Sequence, residues 1–518
     1  MKTKKVVNIL NFIRGEDWRY THEMLHQTFI NTLELCKKYP MPYTISLLYD
    51  ALINPDYTTP LLENKDPNME VGLWLELSRQ AVENAGLEWN EEHDWTWHVN
   101  PGMLLGYNQP DREKIIDELM NRFKSVFGYY PASVGAWVID THSINYMKEK
   151  YDVKAVCFCR EQYGTDGYTL WGGYYNQGYF PSKKNMFMPA QSKEEQTNVP
   201  LFRMLGPDPI YEYDLQKYGN YRTVPTLEPA WRLGQDEKWV DWYLDSHYGA
   251  EGMAFSYTQT GQENSFGWDS FGVALKMQMD KVYEGMKEGK WEVMTLRDTG
   301  IWFSETFETT PATSITALTD WQEENQRQTV WYNCKNYRFD MHNENGKICV
   351  RDINLFDENY TDRYLETPAP GDDATFDALP IIDGYLWRGD GELSALYFVK
   401  KGTEEKVDGK LLASEAEGEN ALKITFELEG KKAFCLCDEE KVRFELPGGD
   451  YDMLFKYNEL RNTKLEEIGE NSVKYEHENM SYALNLTCKV SAEENGYRIS
   501  PEGDSLELSF KRLGKKEF

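Results

Sequence analysis

The feature that most constrains the fold is a change of hydrophobic period part-way along the chain. Up to residue 296, short apolar runs alternate with stretches of helical periodicity. KVVNILNFI (5–13) reads as a strand and HEMLHQTFINTLELCKKY (22–39) as a helix. YTISLLYDALI (43–53) and EVGLWLEL (70–77) read as strands, the latter leading into a helix over SRQAVENAG (78–86). DREKIIDELMNRFKSVFG (111–128) has apolar residues at helical spacing and a terminal Gly stop. SVGAWVID (133–140), VKAVCFC (153–159), PLFRML (200–205), GMAFSY (252–257) and KWEVMTL (290–296) read as further strands, with helices at 144–152 and 271–289. Strands that alternate with helices are joined by right-handed crossovers and lie parallel, and seven or eight such units close into a barrel.

Beyond residue 325 the period drops to two. Runs such as TVWYNCKNYRFDMH (329–342), ALKITFELEG (421–430), KVRFELPGGDYDMLFKY (441–457) and SLELSFKRL (505–513) are separated by Gly, Asp and Asn turns. That pattern predicts a mostly antiparallel region, a β-sandwich. The expected division is 1–325 for an α/β barrel and 326–518 for the sandwich.

Composition narrows the partners. Over 518 residues the formal net charge is -30, which repels phosphate backbones and argues against nucleic acid. No run reaches the ~18–20 apolar residues of a membrane span, and MKTKKVVNILNFIRGED reads as a first strand rather than a leader. The eight Cys include Cys157/Cys159 and Cys435/Cys437, C-x-C pairs that put both thiols on one face of a strand, without zinc-ribbon spacing. Reduced buried thiols fit a reducing compartment, so the expectation is a cytoplasmic protein. Aromatic residues make up 14% of the chain; Trp and Tyr offer flat apolar faces to polar ligands such as sugars.

In parallel barrels the reacting groups gather at the carboxyl ends of the strands. Acids follow nearly every predicted strand: Glu16 and Asp17, Asp50, Glu76, Asp140, Glu161, Asp208, Glu263 and Asp298. A single Asp at a strand end is often only the cap of the next helix, and Asp140 before THSINYMKEK suits that role too. Converging carboxylates push one another's pKa values apart, which divides them into acid and nucleophile or base. The expected pair is Asp140 and Glu263, with Asp17 in support and Glu16 and Glu228 in reserve. Two loops carry the densest polar and aromatic content. REQYGTDGYTLWGGYYNQGYFPS (160–182) holds Arg160, Asp166, Tyr168 and Trp171; TQTGQENSFGWD (258–269) holds Gln262, Asn264 and Trp268. Tyr168, Trp171 and Trp268 are the expected stacking platforms, with Gln262 and Asn264 bonding hydroxyls. Arg160 and Arg297 are candidates to keep carboxylates ionised or grip an acidic sugar, and His98 and His142 complete the candidate set. No G-x-S-x-G elbow, P-loop, H-E-x-x-H or G-x-G-x-x-G is present.

The order of units, the acidic pair in Gly15-Glu16-Asp17, the strand Glu70-Val71-Gly72-Leu73 and FGYYPASVGAWVID (127–140) resemble the polysaccharide-deacetylase-like superfamily, which includes family-57 glycoside hydrolases. The resemblance implies a distorted (β/α)7 barrel and a carbohydrate-active hydrolase. Its deacetylases pair an Asp, matched by Asp17, with two His of an H-x-x-x-H stretch after strand three; here that segment reads EVGLWLELS, with no His. The expectation is therefore a glycoside hydrolase without a cofactor. A divalent metal near Asp17, reached through His98 or His142, keeps a metal-dependent deacetylase as one alternative, and a catalytically silent sugar-binding protein is the other. The expected partner is a carbohydrate, and a homo-oligomer is compatible with the chain.

Overall fold

The computed structural model describes residues 3–214, 225–250, 252–389 and 393–515. Its first half is a curled sheet of parallel strands: β1 (Lys4–Ile13), β2 (Tyr43–Leu47), β3 (Met69–Trp74), β4 (Ser133–Gly135), β5 (Ala155–Phe158), β6 (Leu201–Arg203) and β7 (Phe255–Thr260). The order across the sheet is β7-β1-β2-β3-β4-β5-β6, these neighbours all parallel, and Gly178–Tyr179 adds an antiparallel pairing at the β6 edge. A short strand β8 (Glu292–Met294) also pairs with β1. β6 and β7 share no ladder. Side chains span that gap instead: Gln177 accepts from the Tyr257 backbone N–H at 2.8 Å, and the Phe202 and Tyr257 rings lie 5.0 Å apart. This is the distorted barrel implied by the sequence.

Local chemistry explains the helices that wrap it. α1 (His22–Cys36) starts at Thr21, whose hydroxyl accepts from the Met24 amide. α2 (Gln109–Phe127) has Asn108 as its cap, Pro110 in its first turn and Gly128 in the left-handed region at its end. α3 (Thr141–Tyr151) is capped by Asp140. The apolar faces pack on strands such as β1, buried over eight of its ten positions. No helix among the described residues is long and apolar enough to cross a membrane.

Element bounds shift, among them those of 70–77, strand only to Trp74, and of 290–296, strand only over Glu292–Met294. The expected strand 43–53 ends at Leu47, and Tyr49–Ile53 is a short helix. Only Ser133–Gly135 of 133–140 pairs as strand, because the chain must bend to deliver Asp140 to the start of α3. Conversely, β7 runs past Tyr257 to Thr260. The Cys predictions fit: all eight are free and buried.

The second half is built on two antiparallel sheets. Pairing begins at Thr313–Ala317, ahead of the expected boundary, and one sheet runs through Gln328–Asn333, Tyr337–Glu344 and Lys347–Leu355. The other contains Leu422–Leu428, Lys431–Cys437 and Lys441–Glu445. They face each other through Phe398, which lies 5.5 Å from Phe426 and 5.7 Å from Phe444. The halves interlock: Ala374–Phe376 pairs with Tyr168–Leu170 of the long barrel loop. Arg338, fully buried, bonds Glu161 at 2.9 Å and Asp352 at 2.7 Å.

Candidate active site at the barrel mouth

Immediately after β1, the Arg14 guanidinium organises the mouth. It bonds both oxygens of Glu76, at 3.2 and 3.1 Å, and Glu263 at 3.2 Å, and its Nε lies 3.9 Å from Asp17. Its plane stacks on Trp95 at 3.8 Å. Glu76, after β3, also accepts from the indoles of Trp95 and Trp137, each at 2.9 Å. Arg14, Asp17, Glu76, Glu228 and Glu263 are all buried. Burying charge is tolerated when opposite charges and hydrogen bonds replace water, and Arg14 supplies both.

The turn after β7 aims Glu263. Gly261 sits at φ +135°, and a Cβ there would lie 1.7 Å from the Leu10 carbonyl oxygen, so only glycine fits. The chain then pairs back to β1, Phe12 opposite Glu263. Asn264 locks the turn, accepting from the Arg14 amide and donating to the Arg14 carbonyl, both at 2.8 Å. Gln262 is held by Asn11 through its backbone and donates to Glu228 at 3.0 Å, leaving its own oxygen unpartnered. Ser265 donates to Glu263. Glu228 lies 3.7 Å from Arg160. Burial pushes the Glu228 carboxyl above the usual carboxylate range, opposed by Arg160 and by the Gln262 hydrogen bond. The neighbouring Asp50 is likewise pushed up to about 6 by burial.

Of the residues expected from sequence, Asp17, Arg160, Glu228, Gln262, Glu263 and Asn264 therefore meet at the mouth. Asp166 is exposed on the adjoining turn and within electrostatic reach of Arg160 and Glu263. Glu16 is exposed, its amide held by Asp50 at 2.8 Å.

Others are elsewhere. Asp140 does not join Glu263: it is fully buried, accepts from Ser143 as the α3 cap at 2.9 Å, and is ion-paired with Arg112 at 3.1 Å. His142 bonds Glu113 on α2, and His98 bonds Glu91. Arg297 pairs with its neighbour Asp298, and its amide donates to Glu70 at the amino end of β3, the opposite end of the barrel. The expected platforms also fail. Trp171 is buried and donates to Asp383 of the second half at 3.2 Å; buried Tyr168 donates to the Trp97 carbonyl. Trp268 packs on Phe271 and Gly272 of its own helix. The accessible flat rings are different ones. Trp18, 53% exposed beside Asp17, stacks on His93 at 4.5 Å and lies 6.1 Å from Trp97. Trp231, 43% exposed and three residues after Glu228, contacts Phe266 at 5.7 Å. Trp18 was legible only as the aromatic following the acidic pair.

The residues around Asp17 do not fit a divalent metal. Arg19 binds both of its oxygens, at 2.9 and 2.6 Å, and occupies the place a cation would take. The nearest expected His ligands are engaged with other carboxylates, and among the described residues no three His, Cys, Asp or Glu are grouped to hold an ion.

A crystal structure from Parabacteroides distasonis, described as a candidate glycoside hydrolase/deacetylase, superposes with a TM-score of 0.54 over 74% of this chain and 91% of its own, at 14% identity. The two chains share a fold. The overlap extends past the barrel into the β-sheets, since it spans nearly three-quarters of the present chain. A candidate polysaccharide deacetylase from Pseudomonas aeruginosa PAO1 overlaps at a TM-score of 0.37 and 9% identity, covering 59% of this chain and 93% of its own. A GH57 branching enzyme from Thermococcus kodakaraensis overlaps at 0.28 and 11% identity, covering 57% and 73%. The latter two are too distant to carry an argument. No family model and no curated protein matches the chain.

Proposed function

We propose that the protein is a carbohydrate-active hydrolase that cleaves a glycosidic bond, with Glu228 as the acid and Glu263 as the nucleophile or base. The observation that carries this reading is the unequal setting of two buried carboxylates that share a mouth. Glu228 is pushed towards its protonated form by burial, with its guanidinium neighbour at 3.7 Å, whereas Glu263 has Arg14 in contact at 3.2 Å. A proton donor and a carboxylate kept beside a cation are what glycoside hydrolysis needs: one protonates the leaving oxygen, and the other attacks the anomeric carbon or activates water. Trp18 and Trp231 are partly exposed aromatic rings next in sequence to Asp17 and near Glu228, suited to the C–H face of a sugar ring. The shared fold with a candidate glycoside hydrolase/deacetylase is consistent with this chemistry.

The test is release of reducing ends from a panel of oligosaccharides by wild type, Glu228→Gln and Glu263→Gln, with acetate release from acetylated sugars measured in parallel. Each amide variant should lose about 10²–10⁴-fold in turnover while unfolding at the wild-type midpoint. Undiminished cleavage by either folded variant refutes its role, and acetate release without new reducing ends replaces glycosidic cleavage with deacetylation.

A further inference from the structure

Arg160 differs from the other buried arginines of this chain. Arg14, Arg112, Arg203, Arg327, Arg338 and Arg351 are each as buried, and each donates at least two hydrogen bonds to protein oxygens. Arg160 is 4% exposed and donates no hydrogen bond among the described residues; its Nε is unpartnered, as are those of Arg14 and Arg327, but unlike theirs its terminal nitrogens make no hydrogen bond either, and its one ion pair, with Glu228, is 3.7 Å long. A guanidinium carries five N–H groups in a planar fork, and leaving them unmet in a buried site is costly. Gln262 bonds the same Glu228 carboxylate that Arg160 faces, and its own buried oxygen has no partner. An empty fork next to an empty acceptor matches a ligand that brings a carboxylate and a hydroxyl together.

Resting on the hydrolase reading, the geometry points to a carboxylated sugar, a uronic acid residue, as the substrate unit bound here, its carboxylate on Arg160 and a hydroxyl on Gln262. A carboxylate meets a guanidinium through two parallel hydrogen bonds, a geometry that a neutral hydroxymethyl group cannot reproduce. The acidity of the whole chain does not oppose this contact strongly, because charges beyond about 8 Å are screened at physiological salt. The contact also has a consequence for Glu228. A substrate carboxylate on Arg160 neutralises the cation that favours the ionised form of Glu228, so binding drives the acid towards its protonated state.

The experiment compares a uronate-bearing oligosaccharide with its carboxyl-reduced counterpart, identical in linkage. Wild type should cleave the uronate chain with a kcat/KM at least ~10-fold higher, and Arg160→Met should bring that ratio close to one; Arg160→Lys, which keeps the charge and loses the fork, should fall between. Equal wild-type rates on the two chains overturn the inference and leave the hydrolase reading standing, as does a preference that survives in Arg160→Met. Binding of free glucuronate and glucose by wild type, measured calorimetrically, separates the two failures. Tighter binding of glucuronate, lost in Arg160→Met, supports the site even if no chain is cleaved, and indifference between the two sugars refutes it.

Discussion

Replacing Asp140 by Asn separates a structural carboxylate from a reacting one. Asn caps a helix as well as Asp does, so Asp140→Asn keeps the α3 start and removes only the charge that faces Arg112 at 3.1 Å. Breaking a fully buried ion pair costs ~3–5 kcal/mol, because the remaining charge is stranded. Arg112 is not stranded completely: carbonyls of Leu104, Tyr107 and Tyr364 accept from it at 3.0, 2.7 and 2.8 Å. A second carboxylate, Asp362, stands in the same field, pushed up to about 7 by burial and by Asp140, while Arg112 pulls it down. Without the Asp140 charge, Asp362 ionises more readily and takes over part of its role. We therefore expect a loss near the lower limit, ~3 kcal/mol at pH 5.5, where Asp362 of wild type is protonated and gives Arg112 no second charge. The loss should be smaller at pH 8, where the two carboxylates of wild type repel each other. Asp140→Ala should lose ~1 kcal/mol more through the missing cap. Urea unfolding followed by tryptophan emission at both pH values measures this, and turnover per folded molecule should stay at the wild-type level. A loss that grows with pH, or turnover that disappears while stability is kept, would refute the reasoning.

Three further outcomes follow from the same geometry. For Asp362, the folded-state carboxyl holds its proton up to about pH 7, above the unfolded value of 3.8, so its contribution is present at low pH and lost as pH rises through that window. Asp362→Asn should flatten the fall in stability between pH 4 and 7 and raise stability at pH 8 by up to ~4 kcal/mol; an unchanged slope contradicts the assignment. For Glu228, the acid must be protonated to act, and burial raises its pKa, so kcat should decline on the alkaline side at a pH above the ordinary range for Glu. That limb should vanish in the residual activity of Glu228→Gln. Trp18→Ala should weaken oligosaccharide binding by about ten-fold and leave the unfolding midpoint unmoved, since its ring is mostly in solvent; equal binding by the variant would remove Trp18 as a platform.

How much of this was legible in the sequence depends on what fixes each feature. The barrel was readable because a parallel strand buried on both faces is mostly apolar, as β1 is apart from its two leading Lys and the buried Asn8 and Asn11, and the switch to period two announced the antiparallel sheets. Residues near strand ends, such as Asp17, Arg160 and Glu263, are placed at one end of the barrel by that topology. What the sequence did not carry was the assignment of partners. Asp140 and Glu263 both follow predicted strands, yet Asp140 finds Arg112 from a helix 28 positions upstream, and Glu263 finds Arg14 from across the whole barrel domain. Aromatic loops misled for the same reason: Trp171 looks like a platform until Asp383, from the other half of the chain, takes its indole N–H. Arg160 illustrates the converse. Its neighbours in sequence, Cys159 and Glu161, are engaged within the fold, one with Gln162 and the other with Arg338, the Gly172 amide and, as an ion pair, Arg203. A run of three consecutive residues thus contains two committed to the fold and one whose hydrogen-bonding capacity the fold leaves unused. In a core where every other buried guanidinium donates at least two hydrogen bonds to the chain itself, such an unspent group marks where the molecule is complementary to something other than itself.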